Sequence, residues 1–293
     1  MVDKLINIIQ KLAVPKVILR YIMMKFLDLT TINNLLFTVK EMNVLDDYSK
    51  DLIIKANNGF VWNCEKGHLI VAKWLYTLGE GMDRTDLSSP VLSGQGNVDV
   101  EYSFRHSCKN GQLTVAKWLY SLGEVNIHAD NEYAFRWSCI YGYLTVAKWL
   151  YSFGGVNIHI DHEIIFRYAC KNGHLAVAQW LYSLGEGMDR FDPSSPAPGQ
   201  GEINIHIDDE YAFIWSCRNG HLAVAQWLYS IGNVDVHDYD EYAFRHSCKN
   251  GQLTVAKWLY SLGGVNIYAF NSFVFEYAYK DILNWLNNLP QKN

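Results

Sequence analysis

A thirteen-residue segment recurs six times along the chain with few changes, and this repetition constrains the fold more than any other feature. In the third copy it runs from Gly142 to Gly154 and reads Gly-Tyr-Leu-Thr-Val-Ala-Lys-Trp-Leu-Tyr-Ser-Phe-Gly. The copies begin at Gly67, Gly111, Gly142, Gly173, Gly220 and Gly251. Successive starts lie 44, 31, 31, 47 and 31 residues apart, so the period is 31 residues and two junctions carry insertions of 13 and 16. A period of this size predicts a solenoid whose units pack on their neighbours.

Each unit has the pattern of two short helices joined by turns. In the unit that starts at Val125 we expect Asp130 or Asn131 to be the N-cap of the first helix. The first helix should bury one face, which carries Phe135, Ser138 and Cys139. The second helix should bury an apolar stripe, which consists of Leu144, Val146, Ala147, Leu150 and Tyr151. The stretch Val125–His128 is too short for a helix, and its alternation predicts an extended finger.

The composition argues against several classes of partner. The chain has 293 residues, of which 49% are hydrophobic, and its ten tryptophans supply ample material for a continuous core. A net charge of −5 offers no basic stripe for phosphates, so we expect no nucleic-acid partner. The sequence has no run of 18 apolar residues and no signal-peptide pattern at its start, which predicts an intracellular, cytoplasmic protein without membrane contact.

The cysteines and most histidines occupy fixed positions of the repeat. One cysteine precedes each repeat glycine by three residues, at Cys64, Cys108, Cys139, Cys170, Cys217 and Cys248, and a histidine ends four of the fingers, at His128, His159, His206 and His237. Neighbouring helices lie about 8–10 Å apart, too far for such a column to form disulfides or to share one zinc ion. We therefore expect buried cysteines, surface histidines, no metal, no cofactor and no catalytic site.

These repeats resemble the ankyrin repeat. Gly173-His174-Leu175-Ala176-Val177-Ala178, with Leu181 and Gly185, matches the second half of the ankyrin pattern at its spacing, and the copy at Gly220 does so again. Tyr133-Ala134-Phe135-Arg136 stands where that pattern has Thr-Pro-Leu-His, and the unit is two residues shorter. The style is similar to ankyrin proteins of giant DNA viruses of amoebae. The resemblance covers residues 50–290 and implies a protein-binding array, here expected to be a monomer.

Candidate contact residues fall in three columns. The first column is glutamate, and arginine follows it four residues later in four copies, which favours helix-stabilising ion pairs. A second column lies at the end of the first helix. The resemblance implies that the glutamates and this second column line a concave groove, and both interpretations can hold together. A third, variable column holds mainly aromatic residues and is the alternative source of partner contacts. The candidates are Glu101, Lys109, Glu132, Trp137, Ile140, Glu163, Tyr168, Lys171, Glu210, Trp215, Arg218, Glu241 and Lys249.

The remaining predictions concern the parts of the chain that do not follow the regular repeat. The insertions at residues 80–96 and 186–201 are copies of one Ser-, Pro-, Gly- and Asp-rich cassette, which predicts loops that either contact a partner or are simply tolerated. Residues 1–48 have three apolar stripes typical of short helices; residues 14–42 resemble an F-box, and a degenerate capping repeat explains the same stripes. Residues 275–286 form a shortened last copy that suits a terminal cap.

Together these patterns predict an all-α, ankyrin-type solenoid with six clear repeats at residues 49–293 and a helical N-terminal region at 1–48. We expect a non-enzymatic scaffold that binds an unidentified protein, from a host cell if the chain is viral. One alternative is a substrate-recognition subunit that contacts cullin-type ubiquitin-ligase subunits through residues 14–42. Another is a recently expanded array without a strong partner, since residues 101–123 and 241–263 differ at one position in 23.

Overall fold

The computed structural model describes residues 59–69, 72–73, 75–76, 99–185 and 203–289. The expectations for residues 1–48 and for both insertions lie outside these ranges. Within the described residues there are 13 helices and no strand. Contact clustering divides the chain into an N-terminal unit, Met1–Asn126, and a C-terminal unit, Ile127–Asn293.

The N-terminal unit contributes three described helices: α1 (Gly59–Glu65), α2 (Val100–Lys109) and α3 (Leu113–Ser121). The C-terminal unit contributes five helix pairs: α4 (Ala129–Ile140) and α5 (Leu144–Tyr151), α6 (Ile160–Lys171) and α7 (Leu175–Gly185), α8 (Ile207–Arg218) and α9 (Leu222–Ile231), α10 (Asp238–Lys249) and α11 (Leu253–Ser261), and α12 (Ala269–Tyr277) and α13 (Lys280–Asn287). In this unit the first helices α4, α6, α8, α10 and α12 pack side by side in chain order, as the repeat predicts.

The apolar stripe of the second helices is confirmed. In α5 the side chains of Val146, Ala147 and Leu150 are buried, whereas Lys148 faces solvent. Two independent constraints, backbone conformation and packing, require the glycine that joins the two helices. Gly142 has φ +83°, and a Cβ there would collide with the imidazole of His174 in the next repeat. The repeat glycine is therefore fixed by both backbone conformation and packing between repeats.

Aromatic triads join neighbouring repeats within each of the two units. Trp180 of one repeat packs with its ring centroid 6.2 Å from that of Phe135 and 5.6 Å from that of Tyr151 in the repeat before. Equivalent triads are Phe60–Tyr76–Trp118, Phe166–Tyr182–Trp227, Phe213–Tyr229–Trp258 and Phe244–Tyr260–Trp285. Edge-to-face pairs of this kind add about 0.5–1.5 kcal/mol each beyond their buried area. The tryptophan of the second helix is thus a contact between neighbouring repeats.

The stack continues across the second insertion. Trp227 lies after residues 186–201, and its ring centroid is 6.2 Å from Phe166 and 5.8 Å from Tyr182, which both lie before them. These distances match those of the triads without an insertion. The packing on either side of this junction is therefore that of an ordinary repeat.

The predicted N-cap at Asp130 or Asn131 is wrong. Asp130, Asn131 and Glu132 all have left-handed backbone conformations, with φ between 52° and 58°, and the capping position is His128. The same three-residue left-handed turn precedes the right-handed part of α6, α8 and α10. Such conformations cost L-residues about 1–2 kcal/mol each, least for Asn and Asp. These two residue types supply two of the three turn residues in two copies and one of the three in the other two.

Arginines stabilise this turn, which corrects the ion pairs expected between Glu and Arg. The side chain of Arg167 donates to the carbonyl of Asp161, that of Arg136 to the carbonyl of Asp130, and Arg245 to the carbonyls of Asp240 and Tyr239. Because the turn is left-handed, the glutamate does not lie one helical turn below the arginine. The expected pair is present at Glu101 and Arg105, 3.8 Å apart in α2, which has no such turn.

The six cysteines are free and buried, which confirms the interpretation of this column as small core residues. Burial raises the pKa of the Cys64 thiol to about 12, so it stays protonated at physiological pH. The degenerate last copy also forms two helices. Ala278 and Tyr279 join α12 to α13 in extended conformations and take the place of the missing glycine turn.

Candidate functional site

One side of the first helices in the C-terminal unit carries a row of half-buried and exposed aromatic and basic side chains. We call it the first-helix face and define it by Tyr133, Trp137, Tyr168, Lys171, Tyr211, Trp215, Arg218, Tyr242, His246, Lys249, Phe273 and Tyr277. They come from α4, α6, α8, α10 and α12. The completely buried phenylalanines of these helices, such as Phe135, belong to the core.

Lys171 lies at the centre of this face. Its Nζ is 4.8 Å from the ring centroid of Tyr168 and 4.2 Å from that of Trp215 on the neighbouring α8. The ammonium also donates to the hydroxyl of Tyr211 at 3.4 Å. Cation–π contacts contribute about 0.5–1 kcal/mol each at exposed sites, so these rings hold the lysine in place across two helices.

Two arginines extend the cluster. The guanidinium of Arg218 lies 4.2 Å from the ring centroid of Trp215, and that of Arg167 lies 4.9 Å from the ring of Tyr211. Arg167 also forms an ion pair with Asp208 of the next repeat. The rings of Tyr168 and Tyr211 are stacked at 6.2 Å. The structure therefore brings four predicted contact residues, Tyr168, Lys171, Trp215 and Arg218, into one cluster.

The same arrangement continues toward the C terminus. The Nζ of Lys249 lies 5.4 Å from the ring centroid of Phe273 and 5.3 Å from that of Tyr277, both on α12. Arg245 lies 5.3 Å from the ring of Phe273, and the imidazole of His246 is stacked on Tyr242 at 4.0 Å. Basic groups thus alternate with rings along three successive first helices.

His246 reports the electrostatics of this region. Burial, and then the charges of Arg218, Arg245 and Lys249, lower the pKa of His246 to about 4. All three charges are positive, one from α8 and two from α10. The imidazole is therefore neutral at physiological pH and lies in a positive field.

The glutamate column has a structural role in four of its five positions. Glu132, Glu163, Glu210 and Glu241 are 6–8% exposed. In each repeat the Nδ1 of the finger histidine, four residues earlier, donates to a carboxylate oxygen, over 2.8 Å for His128 and Glu132. Glu241 also accepts the backbone N–H of Asn266 at the next finger. These carboxylates tie the finger to the left-handed turn and present little surface to a partner.

Of the four remaining candidates, Trp137 lies on the first-helix face, and Ile140, Glu101 and Lys109 do not belong to it. Ile140 is buried, and its carbonyl accepts the side-chain N–H of Asn172 in the next repeat. Glu101 accepts the backbone N–H of Asn126, and Lys109 ends α2; both lie half-buried in the N-terminal unit. Trp137 is half-buried on the first-helix face, between Tyr133 and Tyr141 on its own helix. The aromatic column and the later basic residues therefore lie together on the first-helix face, and the buried glutamates do not.

Sequence reasoning missed several members of the face. Tyr133, Tyr211, Tyr242 and Phe273 share one repeat position, four residues before the aromatic column. That spacing places the two positions on the same side of a helix, so the signal was present. In the part of the chain that the structure describes, no three His, Cys, Asp or Glu side chains are grouped as a metal site requires. No described helix is long and apolar enough to cross a membrane.

Part of the chain matches a known protein family. Residues 104–192 match the family model described as "Ankyrin repeats (3 copies)". Human ASB11, whose ankyrin repeat domain has a crystal structure, is 14% identical with a TM-score of 0.47; the match covers 80% of this chain and 99% of that one. No curated protein matches the sequence. Residues 104–192 are thus similar to ankyrin repeats, a class that typically serves in protein–protein interaction.

Proposed function

We propose that this protein is a non-enzymatic scaffold that binds a partner protein through the first-helix face of its C-terminal unit and through its inserted loops. The observation that carries the proposal is the row of rings and cations on α4 to α12, which lies outside the buried core. Tyr, Trp and Arg are the residues most enriched at the energetic centres of protein interfaces. The resemblance to ankyrin repeats implies that positions at the end of the first helices, among them Lys171, Arg218 and Lys249, line a concave groove.

The proposal is tested by affinity capture followed by mass spectrometry with the wild type and a triple variant, Trp137→Ala, Tyr168→Ala and Trp215→Ala. We expect the variant to lose the captured partner and to keep its helical circular dichroism spectrum. The matched control changes Tyr143 and Phe153 to alanine, because both are exposed aromatic residues of second helices or their ends. Equal capture by the wild type and the triple variant would disprove the role of this face.

A second role concerns residues 14–42, whose sequence resembles an F-box. In this role the repeats select a target and the N-terminal region contacts cullin-type ubiquitin-ligase subunits. Deletion of residues 1–48 separates the two functions. Ligase subunits that still co-purify with the shortened chain would exclude this role and leave the proposed scaffold unaffected.

A further inference from the structure

The centre of the first-helix face holds positive charges that carboxylates of the same face do not neutralise. Lys171 and Arg218 each lie 4.2 Å from the ring centroid of Trp215, within about one Debye length (~8–10 Å) of one another. Among the described residues neither forms an ion pair with a carboxylate, and the same holds for Lys249. Arg167, by contrast, is paired with Asp208.

The environment of His246 on α10 also shows an excess of positive charge on this face. Its pKa is lowered to about 4 by burial and by Arg218, Arg245 and Lys249. Its Nδ1 is shielded from solvent and has no hydrogen-bond partner among the residues described. From α12, the ring of Phe273 lies 5.7 Å away. The site combines convergent positive charge with apolar rings.

We propose that Lys171, Trp215, Arg218 and Lys249 form a binding site for an acidic segment of the partner protein. This inference rests on the proposed function and specifies the chemistry of the partner. Carboxylates that approach Trp215 contact two cations at once and relieve the repulsion between them. Aromatic or aliphatic residues next to these carboxylates pack on the exposed ring surfaces.

The cations are preorganised for this contact. A free lysine or arginine side chain loses much conformational entropy when it is fixed. Here the rings of Tyr168, Trp215, Phe273 and Tyr277 already position the charged groups. Binding therefore loses less entropy than it does at a flexible basic surface.

An acidic protein segment fits this face better than a nucleic acid. Exposed aspartates flank the cluster at the left-handed turns that begin α6, α8 and α10: Asp161, Asp208, Asp209 and Asp240. A nucleic-acid backbone carries a charge at every nucleotide and would meet these carboxylates along its track. A peptide with a few acidic residues places its charges only where the cations lie. The net charge of −5 also disfavours a polyanion.

The test selects binders from a library of random peptides with three forms of the full chain, and then measures the binding of the selected peptides to these forms and to Trp215→Ala. One is the wild type; the second carries Lys171→Gln and Lys249→Gln; the third carries Lys148→Gln and Lys257→Gln. Lys148 and Lys257 are exposed lysines of second helices that also lie over tryptophan rings, at 5.9 and 6.0 Å. The two double variants therefore lose the same charge and the same residue type.

We expect the wild type and the Lys148/Lys257 variant to select peptides rich in Asp and Glu. The Lys171/Lys249 variant should bind these peptides about tenfold more weakly or worse, and salt should weaken wild-type binding, as for other charge-complementary contacts. Selection of peptides without net negative charge, still sensitive to Trp215→Ala, would overturn this inference but support the proposed function. Peptides bound equally by all variants, including Trp215→Ala, would overturn both.

A second measurement follows the imidazole of His246 by NMR while a selected acidic peptide is added. A carboxylate next to a histidine stabilises the charged form, so the pKa of His246 should rise above about 4 on binding. Hexaglutamine is the neutral control and should leave the pKa unchanged. An oligonucleotide that competes with the acidic peptide, and raises the pKa equally, would contradict the assignment to a protein segment.

Discussion

Two nearly identical segments of this chain, Glu101–Gly123 and Glu241–Gly263, start their helices in different ways. In the first, α2 is right-handed from its start, and the side chain of Asp99 accepts the backbone N–H of Tyr102 at 2.8 Å. In the second, α10 passes through a left-handed turn that ends at Glu241. The sequence Asn-Val-Asp-Val precedes both, but His237–Asp240 is present only in the second. Four upstream residues thus determine the geometry of an otherwise shared helix.

The two copies also differ in their surroundings. His106 in the first copy pairs with Glu65 of the neighbouring repeat, with Nδ1 2.8 Å from the carboxylate. The equivalent His246 is surrounded by Arg218, Arg245 and Lys249. The same residue is next to an anion in one repeat and next to cations in another. Function in such an array is therefore determined by neighbouring repeats as much as by the repeat itself.

The largest effect should be common to both copies. Phe104 and Phe244 are completely buried, so Phe104→Ala and Phe244→Ala should each lower the free energy of unfolding by about 3–5 kcal/mol. Chemical denaturation measures both. The exposed Thr114 and Thr254 provide matched controls. If only one of the two substitutions lowered the free energy of unfolding, the two copies would not have equivalent cores.

The next effect should distinguish the copies. Glu241 is buried and accepts hydrogen bonds from His237 and Asn266, whereas Glu101 is half-buried and lies 3.8 Å from Arg105. Glu101 also accepts the backbone N–H of Asn126, as Glu241 does from Asn266, so the difference lies in burial and in the bond from His237. We expect Glu241→Gln to lower the free energy of unfolding by about 1–3 kcal/mol and Glu101→Gln by at most about 1 kcal/mol. Thermal and denaturant unfolding measure the difference. Equal losses would contradict the structural role assigned to the buried column.

A smaller effect should test the helix starts. Asp99 and Asp235 occupy equivalent positions before Val100 and Val236, but Asp99 caps α2, whereas Asp235 accepts the N–H of His237 within an exposed finger. Asp99→Ala should destabilise the protein by about 0.5–2 kcal/mol and Asp235→Ala by less than about 0.5 kcal/mol. Asp99→Asn keeps an acceptor and is the control. A larger loss at Asp235 would contradict the different roles of the two residues.

The smallest effect is electrostatic and is measured by NMR titration. The pKa of His246 should be about 4, and Lys249→Gln should raise it, because a positive charge has been removed. Burial lowers the pKa of His106 while Glu65 raises it, so Glu65→Gln should lower it further. Unfolded histidine binds its proton near pH 6.5, so the contribution of His246 to stability should be lost as the pH falls from about 6.5 to 4. Unchanged values would remove the contrast between the copies.

Much of the fold follows from local periodicity. The buried stripe Val146, Ala147 and Leu150 and the buried cysteines are repeated at helical spacing, so the sequence alone predicts the helix pairs. The triads are different, because Trp180 meets Phe135 from another repeat. Their geometry depends on how repeats stack, which no single-repeat pattern encodes.

The left-handed turn explains the errors at the candidate site. Asp and Asn before a helix usually indicate a cap, and the same residues tolerate left-handed conformations; at Asp130 and Asn131 the second property prevailed. This reversal buried Glu132 and removed it from the expected groove. The spacing of four residues between His128 and Glu132 recurs in four repeats and was the signal for their pairing.

The triad of Phe166, Tyr182 and Trp227 has a consequence for how this chain can evolve. Because the stack closes across a junction that holds 16 extra residues, a longer connection there costs only about 0.6 kcal/mol for each doubling of its length. That cost is below the loss of a single buried aromatic side chain. New sequence at this junction leaves the core intact, so the array can acquire or exchange surface loops faster than it can alter its helices.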